Sequence, residues 1–273
     1  MGKFDGILLL SDMDGTMLDD VKDVPRRNVE AIDYFISNGG LFSIASGRSE
    51  KSIRRYLEVF NINAPVICYN GSMIYDYKRG ETLWSNPLRR SSAAVVIDDV
   101  KRSFPRCGVE IYYCDGIAIM QPNYTTEAHM SREFLDFSLI GMEGVREPWY
   151  KAIFAMDHEE LVEVEAYIRD KKYAEIYGEL HFVYSEPFFY EMLDSSSSKG
   201  LALTHLARLC GVEIKKTYAI GDNYNDQEML RMAGLGIVAG NAPDDIKAIA
   251  GQVVCSNNDG AVGAAIEYID SLL

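Results

Sequence analysis

Residues 8–18 read LLLSDMDGTML. Four apolar residues, Ile7 to Leu10, run into Asp12 and Asp14, one residue apart, and then into Gly15 and Thr16. A short apolar run without polar alternation suits a strand buried on both faces of a parallel sheet. Two carboxylates set side by side at the end of such a strand repel each other, and burial penalises their charged forms as well. A compensating charge is therefore expected at this strand end.

Outward from this stretch, strand and helix patterns alternate. Pro25–Ser37 carries Val29, Ile32, Phe35 and Ile36 at helical spacing and stops at Asn38-Gly39-Gly40, a C-terminal signal. Leu41–Ala45 is a second apolar run, closed by Ser46-Gly47-Arg48. SEKSIRRYLEVF, residues 49–60, predicts a second helix with Ser49 or Ser52 as its N-cap. APVICYNGSMIYD, residues 64–76, predicts a third strand and a hairpin-like turn at Asn70-Gly71. This order implies a parallel sheet with crossover helices.

The pattern changes near Asn86-Pro87. A helical stretch, Ser91–Phe104, precedes VEIYYCDGIAIM (109–120), whose two apolar runs meet at the hairpin signal Asp115-Gly116. An amphipathic stretch at 127–137, the run YKAIFAM, the acidic helix HEELVEVEAYIRD and the paired runs of FVYSEPFFYEML follow. The alternating pattern returns with SKGLALTHLARLCG, KTYAIGDNYND, DQEMLRMAG, GLGIVAGNA, GQVVCS and GAVGAAIEYIDSLL. The expected architecture is α/β: a doubly wound, Rossmann-like parallel-sheet core made of residues 1–85 and 189–273, with an inserted α+β domain at 86–188. Aromatic residues of the insertion (Tyr112, Tyr113, Tyr124, Trp149, Tyr150) are expected to form core, as aromatic residues on strands commonly do.

Charge narrows the function classes. The chain of 273 residues has a formal net charge of −14 and a pI near 4.8, which opposes general binding to nucleic acid or anionic membranes. An anionic small substrate would need local help from a cation or from backbone N–H groups. No apolar run reaches the eighteen or so residues that span a bilayer, and no secretory signal is visible. Met1-Gly2 suggests myristoylation, but Gly6 stands where that motif needs Ser or Thr. A cytoplasmic monomer is expected. Five cysteines, odd in number and widely spaced, read as reduced and mostly buried thiols, and the four histidines lack zinc-type spacing.

In an open parallel sheet, ligands bind at the carboxyl ends of the strands. Four loops or junctions there carry unusual residues: Asp12 and Asp14; Ser46 and Gly47; Lys199 at a helix start; and Gly221, Asp222, Asn225 and Asp226. Alone, each has a plainer reading. Asp-Gly after a strand commonly makes a turn, as does Ser-Gly. Asn225 followed by Glu228 fits a capping-box-like helix start, and a lysine after four serines fits a solvated surface. Together, the acids make a cluster of as many as four carboxylates that only a cation renders tolerable. Hard oxygen donors without His or Cys suit Mg²⁺, which commonly pairs with phosphate. Lys199, the Ser46 hydroxyl and backbone N–H groups near Gly47 are suited to hold a phosphoryl group.

The set DMDGT, SGR, SKG and GDNYND resembles the four motifs of the haloacid dehalogenase superfamily. It is closer still to its Cof-type sugar-phosphate phosphatases, which carry a type IIB α/β cap; GDNYNDQEMLRMAGLGIVAGNA and SNNDGAVGAAIEYI mirror their tail pattern. The likeness covers both flanking segments, and over the insertion it rests on position and element order. SSSSKG departs from relatives that often carry a small residue, Gly or Val before Ser-Lys, which leaves Lys199 intact. The resemblance implies an Mg²⁺-dependent phosphomonoester hydrolase of small phosphorylated metabolites, sugar phosphates foremost. It implies that Asp12 attacks phosphorus to form an aspartyl-phosphate and that Asp14 is general acid, then base. Asp12, the Asp14 carbonyl and Asp222, supported by Asp226, would hold the metal. Met13 (through its backbone), Ser46, Gly47, Lys199 and Asn225 would bind the phosphoryl oxygens, and the insertion would close over the site and select the leaving group. A sugar phosphomutase of the same fold, a phospho-accepting receiver-like module and a silent sugar-phosphate binder are the alternatives.

Overall fold

The computed structural model describes residues 2–133, 135–170 and 178–273; Phe134, within the amphipathic stretch expected at 127–137, lies outside them. Two compact units are formed, residues 1–85 with 198–273, and residues 86–197.

The first unit begins with β1 (Leu8–Ser11), α1 (Arg26–Ser37), β2 (Leu41–Ile44), α2 (Glu50–Arg54), β3 (Val66–Cys68), β4 (Met73–Asp76) and β5 (Glu81–Ser85). The second contains α3 (Arg90–Ser103), β6 (Gly108–Tyr113), β7 (Gly116–Gln121), α4 (Tyr124–Glu133), β8 (Ser138–Leu139), β9 (Trp149–Ala155), α5 (His158–Arg169), β10 (Leu180–Glu186) and β11 (Phe189–Asp194). The first unit resumes with α6 (Lys199–Leu209), β12 (Thr217–Gly221), α7 (Gln227–Met232), β13 (Leu235–Val238), α8 (Asp244–Lys247), β14 (Gln252–Val253) and α9 (Ala261–Ser271).

Its main sheet is parallel, in the order β14-β13-β12-β1-β2. Leu8, Leu9 and Leu10 are fully buried, which is why this central strand reads as an unbroken apolar run. Leu8 and Leu10 share a core with Leu203 and Leu206 of α6, Met229 of α7 and Ile246 of α8, while α1 packs with α9. Ser49, of the two N-cap candidates, accepts the Ser52 N–H and starts α2. The third strand forms and is followed by the hairpin expected at Asn70-Gly71, but it does not extend the parallel sheet. β3 meets the main sheet only through a parallel bridge between Ala45 and Ile67 and instead pairs antiparallel with β4, which pairs with β5.

The second unit is a six-stranded sheet, β10-β11-β9-β6-β7-β8, antiparallel except for β7–β8. Tyr113 pairs with Gly116 across the hairpin expected at Asp115-Gly116. The division from the first unit falls after Ser197 rather than after residue 188, because the run at 189–194 is a central strand paired to both β9 and β10. One face of this sheet carries Val109, Ile111, Ala152, Phe154 and Met192 against Val96, Ile97 and Val100 of α3 and Leu161, Val164 and Ile168 of α5. The alternate positions Glu110, Tyr112, Lys151 and Glu191 project to the other face, as the period of two requires. Among the aromatic residues expected in the core, Tyr113 and Trp149 join the apolar cluster. Tyr112 is buried on the charged face, 4.6 Å from Lys151 Nζ, whereas Tyr150 is half-buried and Tyr124, the first residue of α4, is exposed.

All five cysteines are free, but only Cys68 and Cys107 are buried; Cys114 is exposed and Cys210 and Cys255 are intermediate. Among the described residues, no helix is long and apolar enough to cross a membrane.

Candidate active site

The parallel register assembles the site. Ser11 pairs with Ile220, and the Asp12 N–H donates to the Ile220 carbonyl at 2.9 Å, one step beyond the end of the β1–β12 ladder. Residue 12 is thereby set beside the turn at 221–226. One oxygen from each of Asp12, Asp222 and Asp226 lies within 4.8 Å of the others. Gly15 is essential to this approach: its φ is +81°, and a β-carbon there would collide with the Asp222 carboxylate.

Lys199 enters from the first position of α6, where Ser198 caps the helix by accepting the Leu201 N–H. Only 1% exposed, its Nζ donates to Asp12 Oδ1 and to Asp226 Oδ1, each at 2.6 Å. The solvated lysine suggested by the serine run is thus a buried cation. Burial alone would lower its pKa, but the charges of Asp12 and Asp226 outweigh burial and hold it above the ordinary lysine value. Asp226 Oδ2 accepts the N–H groups of Asp222 and Asn223 at 3.0 and 3.1 Å. Asp226 is accordingly the carboxylate that fixes both the lysine and the turn. The capping box lies two residues upstream of the Asn225–Glu228 pair, formed by Asn223 and Asp226.

Two of the acids are strained as anions. Asp12 is pushed well above the usual carboxylate value, first by burial and then by the charge of Asp226, with Lys199 opposing. Asp222 is pushed up to about 7, again by burial and then by Asp226, while the Thr16 hydroxyl, donating to its Oδ1 at 2.6 Å, opposes the shift. Three carboxylates to one ammonium leave a surplus of negative charge that a divalent cation is suited to neutralise. The donors are all hard oxygens, so this observed set fits Mg²⁺.

Asp14 is occupied differently. Its carboxylate takes a two-point contact from Arg48, with Nε at 2.7 Å from Oδ2 and Nη2 at 2.9 Å from Oδ1, and a third from Lys22 Nζ at 2.7 Å. Burial alone would raise its pKa, but Arg48 and Lys22 hold it well below the usual carboxylate range. Met13 is buried, and its carbonyl accepts the N–H groups of Met17 and Leu18 at 3.0 and 2.9 Å. Ser46 is 2% exposed and its Oγ accepts the Arg48 N–H at 3.1 Å. Asn225 Nδ2 donates to Asn70 Oδ1 at 3.0 Å.

Arg48, Lys22 and Thr16 lie outside the site expected from the sequence, and Asn70 stands there only as part of a turn. Arg48 carried a signal, since it completes SGR. Lys22 carried none, because it lies in an acidic loop and reaches Asp14 only through a turn in which its φ is +68°.

A family model described as haloacid dehalogenase-like hydrolase matches residues 9–266. The chain belongs to that family. This haloacid dehalogenase-like hydrolase is 29% identical over 290 residues to a Bacillus subtilis protein named 5-amino-6-(5-phospho-D-ribitylamino)uracil phosphatase YwtE, covering 96% of both chains. It is 26% identical over 268 residues to a protein of Escherichia coli named pyridoxal phosphate phosphatase YbhA, covering 93% of this chain and 95% of that one. Its fold matches the crystal structure of a haloacid dehalogenase-like hydrolase from Bacteroides thetaiotaomicron with a TM-score of 0.83, at 24% identity over 96% of this chain and 99% of that one.

Proposed function

We propose that this haloacid dehalogenase-like hydrolase is an Mg²⁺-dependent phosphatase of small phosphorylated metabolites, sugar phosphates foremost, acting through an aspartyl-phosphate. The meeting of Asp12, Asp222 and Asp226 around Lys199 carries the reading. The names of the two relatives, each a phosphatase of a small phosphorylated compound, support the substrate class.

Asp12 is the nucleophile: a carboxylate oxygen bonds to phosphorus as the phosphorus–alkoxide bond breaks. Lys199 orients that carboxylate and supplies positive charge beside the transferring group. Ser46, Gly47, Asn225 and the Met13 backbone bind the phosphoryl oxygens. Asp14, which takes up a proton from solvent once released from Arg48 and Lys22, gives that proton to the departing alkoxide and then takes one from the water that hydrolyses the acyl phosphate. Asp12, Asp222 and the Asp14 carbonyl would hold the Mg²⁺, with Asp226 in support; when bound, it neutralises the charge that separates an anionic nucleophile from an anionic ester. Selection of the leaving group is assigned to the second unit.

A panel of phosphorylated metabolites, assayed with Mg²⁺ for released phosphate and for isomerised product, tests this. Phosphate release from one or more, abolished in Asp12→Asn with an unchanged circular dichroism spectrum, is the expected result. Full turnover in that variant would remove the nucleophile, and isomer formation without phosphate release would convert the hydrolase into a mutase.

A further inference from the structure

Three non-glycine residues have positive φ among the described residues: Lys22, Tyr69 and Asn70. Two of them are consecutive. Tyr69 has φ +52°, Asn70 has φ +53° and ψ +30°, and Gly71 continues at φ +105°. Left-handed backbone is tolerated by asparagine but is unfavourable for tyrosine, and a run of it persists only where surrounding bonds enforce it.

Those bonds lead to the phosphate loop. The Tyr69 N–H donates to the Arg48 carbonyl at 3.1 Å, and the Asn70 N–H to the Ser46 carbonyl at 3.0 Å. The Tyr69 hydroxyl donates to Glu50 Oε2 at 2.7 Å. The turn between β3 and β4, closed by its own bond from the Ser72 N–H to the Tyr69 carbonyl at 3.2 Å, is thus also moulded against residues 46–50. The Asn70 side chain, 2% exposed, lies between two groups assigned to the phosphoryl oxygens. Its Oδ1 accepts from Asn225 Nδ2 at 3.0 Å, while its Nδ2 is 3.0 Å from where a β-carbon of Gly47 would stand. One amide therefore spans the gap between the loop after β2 and the turn after β12, which are far apart in sequence. Asn-Gly is also a common turn pair, but a turn alone gives no reason to bury the amide against Gly47 and bond it to Asn225.

We propose that Asn70 is a positioning residue of the phosphate subsite, whose left-handed backbone and amide join the Ser46–Gly47 loop and the Asn225 amide into one cradle for a tetrahedral oxyanion. This rests on the phosphatase reading above, and Asn70 acts through its neighbours rather than on the reacting atoms.

Asn70→Gly separates the two explanations, because glycine accepts left-handed backbone without strain and deletes the amide. Its melting temperature should equal or exceed that of the natural protein. Its kcat/KM should fall about tenfold to a hundredfold, as expected when a binding group is misplaced by about an ångström, and competitive inhibition by inorganic phosphate should weaken in parallel. Adding Asn225→Ala should cost clearly less than the product of the two single losses, since both break the Asn70–Asn225 link. Losses that multiply, or an Asn70→Gly protein within twofold of the natural one, would overturn the proposal. Asn70→Asp serves where the glycine variant folds poorly: it tolerates the same backbone, keeps the acceptor and lacks the NH₂ group. Unchanged inhibition by phosphate in that variant would also overturn the proposal. If the natural protein hydrolyses phosphomonoesters and these variants are unaffected, only the assignment of Asn70 fails. If it hydrolyses none, the phosphatase reading fails, and calorimetric binding of inorganic phosphate to the natural protein and to Asn70→Gly still decides the cradle.

Discussion

Both units bury charge, and they do so to opposite effect. In the first, three carboxylates share one ammonium, Lys199, and two of those acids are pushed toward their neutral forms. In the second, His129 of α4 sits between Glu110 of β6 at 3.0 Å and Glu133 of its own helix at 3.5 Å, and on the sheet Lys151 pairs with Glu191 at 3.0 Å, with Ser185 donating to the same Glu191 oxygen at 2.6 Å. Burial alone would lower His129, but the two glutamates outweigh it and raise it to about 10. Charges that satisfy one another build structure, and a surplus left unsatisfied invites a ligand. Removing one partner of a buried pair is costly because the other is left uncompensated, so each unit gives way to a different perturbation.

The sharpest contrast comes from the metal. EDTA should abolish phosphate release, and added Mg²⁺ should restore it, while the melting temperature should change by no more than the contribution of ligand binding itself. Turnover that survives exhaustive chelation would break the contrast. Asp222→Asn keeps the shape and removes one negative charge. It should weaken Mg²⁺ activation by at least the roughly 10–100-fold seen for lesser perturbations of metal sites, measured as the Mg²⁺ concentration giving half-maximal rate.

Within the first unit, Asp14 is the acid whose charge is fully answered. Arg48→Lys replaces a fork by a point charge and cannot reproduce the two-point contact. Because Asp14 acts only once released, the weaker contact should let it take up its proton at higher pH, so the alkaline fall of kcat should move upward; Lys22→Met, which leaves the Arg48 fork in place, should move it less. Equal displacements in the two variants would show that charge alone, not the fork, holds Asp14 ionised.

The smallest effect belongs to the second unit. A histidine whose folded pKa lies above its unfolded value of about 6.5 adds stability that is complete below that value and is lost as pH rises toward about 10. Denaturant unfolding should therefore show stability declining by a few kcal/mol at most between pH 7 and 10, with His129→Gln lower at pH 7 and flatter over that window. A variant with the slope of the natural protein would assign the decline to other groups.

How much of this could be read from residues alone follows from range. Ile7–Leu10 and the acids after it announced a buried parallel strand, because two-sided burial leaves a compositional mark. Lys199 and Asp222 were reachable only as members of a set, since nothing local separates a buried lysine from a solvated one. The true capping box was missed because Asn223 and Asn225 are both competent caps, and only the fold decides which amide turns inward. The extent of the second unit was misread near residue 188 because an apolar run reads alike in either sheet. Lys22 was silent, and Asn70 was legible only as half of an Asn-Gly turn; the bonds that tie that turn to Ser46, Arg48 and Asn225 come from surroundings that no window of sequence contains.

The central place of β1 bears on how the protein comes to be made. Its partner on one side, β2, follows within the first 44 residues, but its partner on the other side, β12, begins only at Thr217, after the whole of the second unit. During synthesis the ribosome therefore releases a half-sheet whose exposed edge is Leu8–Ser11, an apolar template for unwanted pairing. Such distant pairing is slow to form. A growing chain stalled before residue 217 should be sticky and chaperone-dependent, and the arrival of β12 acts as the clasp that ends that vulnerability.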